Sequence, residues 1–246
     1  VSSEERVKSV CVQWGTYPFI RPRYTLNNMS CNYFLTWGDF FQSQLKSKNK
    51  KVKFISTGMK SSKKKIKKEN LITFIMAPPV PDLPEKFNFD LLEISEDIAK
   101  NYKNWNCVIR NHPIYKISQN QISNIKNLKI EDYENNPIDN SLKKSSIVVG
   151  ICSSVLIESL YYDTIPIVYE ANKNLEFFPK LDQKKIGFLG QDVNTVKKLI
   201  EKLIVQKKKL AHMQKMIKNR KKLYFVNINK NIDPIIKKKI SKICNT

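Results

Sequence analysis

The stretch Ser146-Ile147-Val148-Val149-Gly150-Ile151-Cys152-Ser153-Ser154-Val155-Leu156-Ile157-Glu158 decides the fold. Its apolar run shows no alternation and reads as a strand buried on both faces, the pattern of a parallel sheet covered by helices. Gly150 ends the strand, and a turn of small residues leads directly into a helix over 154–162. Ser153 or Ser154 would cap that helix, whose first turn then offers unpaired N–H groups and hydroxyls to a phosphate. Glu158 follows about one turn later, where a carboxylate can accept hydrogen bonds from ribose hydroxyls or a base. Taken alone, a serine cap at such a turn is commonplace and Glu158 is an ordinary surface residue.

The same alternation extends in both directions. Upstream, a strand over 71–76 is halted by Pro78, Pro79, Pro81 and Pro84, and a helix over about 90–103 carries Leu91, Ile94, Ile98 and Tyr102 on one face. A strand over 106–111 ends at His112 and Pro113, and a short one follows at 128–130. Downstream come strands at 165–169 and 186–189, then a long helix from about residue 192 with Val193, Val196, Ile200 and Leu203 at helical spacing. Strands alternating with helices imply a parallel sheet with right-handed crossovers. The first sixty residues hold strands at 10–13, 33–36 and 53–56 with a helix over 39–46, too few for an independent doubly wound domain. In the linker, six of the nine residues 60–68 are lysine. The expected division is an incomplete N-terminal α/β unit (1–59), a Lys-rich linker (60–69), a Rossmann-like domain (70–222) and a basic C-terminal tail (223–246).

A second signal is Arg110, Asn111, His112 and Pro113 at a strand end, in a chain with only two histidines. Arg110 supplies a cationic fork and His112 a switchable donor, while Pro113 stops the strand so that both stay at the sheet's edge. The bland reading, an exposed turn with no ligand, is equally good for this motif by itself. Both motifs, however, fall at the carboxyl ends of strands in one parallel sheet, where such sheets form their ligand crevice.

The net charge of +22 suits nucleic acid, an anionic membrane face or an acidic substrate. The excess is nearly all lysine in a chain rich in Asn and Ile, so compositional drift of solvated surfaces accounts for it equally well. From Lys197 to Lys242 there are sixteen basic residues against Glu201 and Asp233, a surface that could rest on anionic lipid. Basic and aromatic residues are not interleaved as in single-strand binders, which weighs against nucleic acid. Five widely spaced cysteines point to a reducing compartment, and the spacing of Cys and His offers no zinc site. Without an apolar run long enough to span a bilayer or a leading signal segment, the expected location is cytoplasmic, with peripheral contact to the inner membrane as an option. The chain begins at Val1 and not Met, which reads as a fragment or processed chain. No GxxxxGK[ST] sequence is present, which argues against a nucleoside triphosphatase.

"RNHP" at 110–113, "SSVLIE" at 153–158 and "DTIPIV" at 163–168 resemble the C-terminal domain of GT-B glycosyltransferases of bacterial surface carbohydrate synthesis. The comparison is with capsule and lipopolysaccharide enzymes related to sialyl and Kdo transferases, and with teichoic-acid glycerophosphotransferases. "VCVQWGTY" at 10–17, "YFLTWGDFFQSQL" at 33–45 and "FISTGM" at 54–59 are similar to the end of the N-terminal domain in those enzymes. The resemblance implies a GT-B-like α/β fold, a Rossmann-type parallel sheet flanked by helices, with a truncated second α/β unit at the N-terminus. It implies transfer of a sugar, most readily an acidic one, from a CMP-activated donor to a surface polysaccharide, without metal or other cofactor. Arg110, His112, Ser153 and Ser154 would bind the donor phosphate, and Glu158 and Pro113 the nucleotide. Gln13, Trp14, Tyr17, Arg21 and Arg23 would line an acceptor cleft, although an ordinary loop explains that cluster as well. Trp14 stands where the relatives have histidine, and most of the acceptor domain is missing, so no catalytic base is assigned. The alternatives are phosphotransfer from a CDP-alcohol on the same fold, a basic nucleic-acid-binding module, and an inactive donor-binding remnant.

Overall fold

The computed structural model describes residues 8–13, 15, 29–47, 49–60, 67–79, 83–151, 153–170 and 180–244. The chain forms two units: residues 1–15, 25–64 and 220–246 contribute to the first, and residues 65–219 form the body of the second.

In the first unit, β1 (Val10–Val12), β2 (Tyr33–Thr36) and β3 (Lys53–Ser56) form a three-stranded parallel sheet in chain order. Helix α1 (Asp39–Lys46) connects β2 to β3 and buries Phe41 and Leu45. Gly58, just past β3, has a φ of 103°, and a Cβ there would lie 2.7 Å from the Val226 carbonyl oxygen, so both backbone conformation and space call for glycine.

The second unit begins with β4 (Leu71–Ile75), buried at every residue, and α2 (Lys86–Asn101). Then come β5 (Asn106–Arg110), β6 (Leu128–Glu131), α3 (Ile138–Lys144), β7 (Ile147–Gly150), α4 (Val155–Tyr161), β8 (Ile165–Tyr169) and β9 (Phe188–Gly190). The unit closes with α5 (Val193–Val205) and α6 (Lys207–Arg220). All six strands are parallel, in the order β6-β5-β4-β7-β8-β9. The chain thus builds outward from β4 in one direction, returns to its other side at β7, and builds outward again. This is the doubly wound order, and its switch point lies between β4 and β7. Leu91, Ile94 and Ile98 of α2 are fully buried, each contributing about 2 kcal/mol of apolar burial. Asp192 caps α5 by accepting the Thr195 N–H at 2.7 Å.

The structure departs from the sequence reading in three places. Helix α2 starts at Lys86, ahead of the expected position, because the buried polar residue Asn88 hides its first turn from an apolar count. The long helix expected from about 192 is α5, which ends at Gln206, where ψ is 74°, and a further helix, α6, which the sequence reading did not name, follows it. Residues 223–246, expected as a basic tail, carry α7 (Asp233–Cys244) and belong to the first unit. There the Tyr224 ring packs tilted against Phe40, centroids 4.8 Å apart, Phe225 lies 6.1 Å from Trp37, and the Val226 N–H donates to the Trp37 carbonyl. Tyr224 and Phe225 are almost wholly buried, so this segment is core and not appendage.

Asn88 also fixes the chain leaving β4. It accepts the Ala77 N–H at 3.0 Å and donates to the Ala77 carbonyl at 2.8 Å, all buried. Asn88→Ala strands both backbone groups, at a cost of about 1–3 kcal/mol. Urea unfolding should show a lower midpoint with an unchanged slope.

Candidate functional site

The crevice of a doubly wound sheet forms where strand order reverses, beyond the carboxyl ends of the strands. Here those ends are Ile75 and Gly150, which pair directly in the ladder. A Cβ at Gly150 would come 3.2 Å from the Ile75 Cβ, so any larger residue crowds this floor. Strand β5 flanks β4 on the other side. The ends of β5 and β7 therefore stand about 10 Å apart, two interstrand spacings. Both sequence motifs sit on these two ends.

At the β7 end, Ser154 is the N-cap of α4, with helical backbone angles (φ −59°, ψ −28°) and no capping bond from its side chain. Its hydroxyl instead donates to Glu158 Oε1 at 2.8 Å. The capping contact is made by Ser153, whose Oγ accepts the Val155 N–H at 3.3 Å. The backbone N–H groups of Ser153 and Ser154 have no hydrogen-bond partner among the described residues. Two adjacent, unspent amide donors next to a hydroxyl are suited to hold an anion. Burial pushes the Glu158 carboxyl up to about 7, against the lowering effect of Ser154, and the negative charge of Asp139 on α3 adds to the rise. Asp139 and Lys143 on α3 approach the Glu158 and Tyr162 side of α4: the buried Lys143 Nζ lies 5.7 Å from the Tyr162 ring centroid.

At the β5 end the motif splits into three roles. Arg110 is only 3% exposed; Nη1 lies 3.6 Å from the Glu131 carboxylate and Nη2 donates to the Asn136 carbonyl. Glu131 also accepts from Lys129, Ser141 and Asn136, each at 2.9 Å. A buried guanidinium needs such a partner, so Arg110 is tied into this network and the fork expected to face a ligand is turned inward. Asn111, part of the motif but given no role of its own by the sequence, closes the following loop. It donates to the Ile117 carbonyl at 3.0 Å and Asp132 Oδ1 at 2.8 Å, and accepts the Ile117 N–H at 2.9 Å. His112 and Tyr115 exchange backbone hydrogen bonds of 3.1 Å across the turn containing Pro113. The His112 Nδ1 accepts the Ile114 N–H at 3.3 Å. That bond leaves the ring proton on Nε2. Burial lowers the His112 pKa, which favours this neutral tautomer.

In the first unit, Gln13 is buried, and its side chain accepts the Trp37 N–H at 2.9 Å and donates to the Gly15 carbonyl at 3.1 Å. It braces the turn after β1, contrary to its expected place in an acceptor cleft. Trp14, Tyr17, Arg21 and Arg23 lie outside the described residues. Among the described residues no group of His, Cys, Asp and Glu is arranged to hold a metal ion, and no helix is long and apolar enough to cross a membrane. A separate cleft of about 460 Å³ lies between β6 and α3, but two of the lysines lining it are paired, Lys129 with Glu131 and Lys144 with Glu69.

No protein-family model matches the chain, and no curated protein sequence matches it. Solved structures do share its fold. A mutant of S. aureus TarM in complex with fondaparinux, alpha-GlcNAc-glycerol and UDP has a TM-score of 0.56 at 13% identity, covering 98% of this chain and 51% of that one. The wall teichoic acid polymerase TagF has a TM-score of 0.58 at 12% identity, covering 86% of this chain and 59% of that one. The pneumococcal O-GlcNAc transferase GtfA in complex with UDP and GlcNAc has a TM-score of 0.58 at 11% identity, covering 96% and 53%. At this identity the common property is the fold: an α/β architecture of the GT-B glycosyltransferase type, of which this chain spans between 51% and 59% of the length.

Proposed function

We propose that this chain carries the donor-binding part of a glycosyltransferase that moves a sugar from a nucleotide-activated donor to a surface glycan. The reading is supported by three donors that have no partner among the described residues and lie at the ends of the strands on either side of β4. These are the N–H groups of Ser153 and Ser154 at the end of β7 and the Nε2–H of His112 at the end of β5. Fixed donors aimed at one site stabilise the charge that develops on a departing phosphate and need no reorganisation as it forms. In this reading Arg110 and Asn111 hold the strand end and loop that present His112, and Pro113 stops the strand beneath the nucleotide. Glu158 in its ionised form accepts from the ribose hydroxyls, with Ser154 orienting it.

The sequence resemblance favours a CMP-linked acidic sugar. Two of the solved structures with this fold hold UDP, which supports a UDP-linked donor as the second reading. The CDP-alcohol phosphotransfer alternative draws support from the fold shared with a wall teichoic acid polymerase. All three readings use the same phosphate site and differ in the base and in the group transferred.

A thermal-shift panel of CMP, CDP, UDP and GDP separates them. A ligand at 100 times its dissociation constant stabilises the folded state by about 2.7 kcal/mol, a rise of several degrees. One pyrimidine nucleotide should give the largest rise, and His112→Ala should weaken its binding about tenfold or more, the value of a hydrogen bond to a charged group. If no nucleotide raises the melting temperature, the donor site is wrong; a rise with UDP alone removes only the CMP assignment.

Glu158 adds a pH signature. Its folded-state pKa is raised to about 7, so the empty fold prefers the protonated carboxyl, and this stabilising contribution is lost as pH rises toward and through 7. Ribose needs the ionised form. Glu158→Gln should therefore melt higher than the wild type at pH 8 and about level with it near pH 4. Nucleotide affinity of the wild type relative to the variant should rise between pH 6 and 8, a comparison that cancels titration of His112 and of the phosphate.

A further inference from the structure

Helix α6 and the end of α5 form the most one-sided electrostatic surface of the second unit. From Lys202 to Asn219 there are six lysines and no acidic residue. None of Lys202, Lys207, Lys208, Lys209, Lys215 or Lys218 makes a salt bridge with a described residue. Lys202 and Lys209 face each other, and burial together with this like-charged neighbour holds Lys209 below the ordinary lysine value. Two ammonium groups brought together without a counter-ion are unfavourable for folding and favourable for capturing an anion.

The surface has an apolar component in the same place. Against α6 lies a cleft of about 270 Å³ whose lining includes the apolar floor residues Phe188, Met213 and Met216 together with Lys185, His212 and Asp182. The Lys209 ammonium sits 5.7 Å from the centroid of the Phe188 ring, so it stands beside this lining. Val205, the last residue of α5, is 68% exposed. Anionic heads and hydrocarbon would each find a partner here: ammonium groups for the phosphate, thioether and aromatic surface for the chain. A nucleic acid strand or a free phosphate could use the lysines, but neither has a use for a floor of methionine.

We propose that this face of the second unit docks on an anionic phospholipid surface, with Lys202 and Lys209 taking a lipid phosphate and the Phe188–Met213–Met216 cleft receiving the adjoining acyl chain. The site is independent of the donor crevice at β4 and β7, and its test does not rely on nucleotide binding. It would hold the protein where lipid-linked carbohydrate is found.

Flotation with phosphatidylcholine vesicles, with and without phosphatidylglycerol, tests the surface on the whole chain. The wild type should float only with the anionic vesicles. K202E/K209E should lose at least about tenfold in partitioning, since one lysine near an anionic bilayer is worth roughly a fivefold factor. The charge-matched control K50E/K51E, placed on exposed residues of the first unit, should retain binding, and unchanged melting temperatures establish that both variants fold. The cleft has its own readout: dihexanoyl phosphatidic acid should raise the melting temperature of the wild type, and inorganic phosphate at the same concentration should not. Absence of flotation, equal losses in the two double variants, or equal stabilisation by inorganic phosphate would each overturn the proposal. So would salt-sensitive RNA binding that K202E/K209E abolishes while leaving flotation intact.

Discussion

The structure of the second unit depends on one constraint: β4 and β7 must lie side by side although two strands and two helices separate them in sequence. Every strand of this sheet is parallel, so each connection crosses back over a face, and the right-handedness of those crossovers places consecutive segments on opposite faces once the winding reverses. The reversal at β4 and β7 parts the loops that follow them and leaves a crevice between. A polar group buried without a partner is costly. The amides of Ser153 and Ser154 are only half-buried, at the carboxyl end of β7, where a missing protein partner carries a smaller cost.

Around that crevice the chain spends buried asparagines to hold loops still. Asn88 replaces the missing backbone partner of Ala77 after β4, and Asn111 does the same for Ile117 after β5. An amide side chain carries a donor and an acceptor in one plane and so mimics a strand neighbour where the sheet has ended. Neither residue needs to touch a ligand. They hold the backbone beyond the ends of β4 and β5 with buried hydrogen bonds.

Much of this was legible in the sequence because the governing signals are local. The unbroken apolar runs at Leu71, Ile147 and Ile165 announced buried parallel strands, and the glycine and serines after Val149 announced the turn into α4. What escaped depended on pairing across the chain. Arg110 looked like a ligand fork because its partner Glu131 becomes visible only once β5 and β6 are in register, Arg110 opposite Glu131. Gln13 looked like a cleft residue because Trp37, which it braces, comes after a long intervening segment. Residues 223–246 looked like a tail because their lysines dominate the composition, whereas Tyr224 and Phe225 find Phe40 and Trp37 at the other end of the chain. Periodicity reports which face is apolar, not what will cover it.

The same contrast bears on the proposed site, which asks little of particular side chains. Backbone N–H groups exist at every non-proline position, so a phosphate cradle made from them requires a turn of small residues and a helix start, not particular side chains. In the proposed reading the side chains that remain necessary are few: His112, and the Ser154–Glu158 pair, whose hydroxyl donates to the carboxylate at 2.8 Å. At 11–13% identity to structures of the same fold, what is shared is the fold, and in a doubly wound sheet the winding alone sets where the strand order reverses.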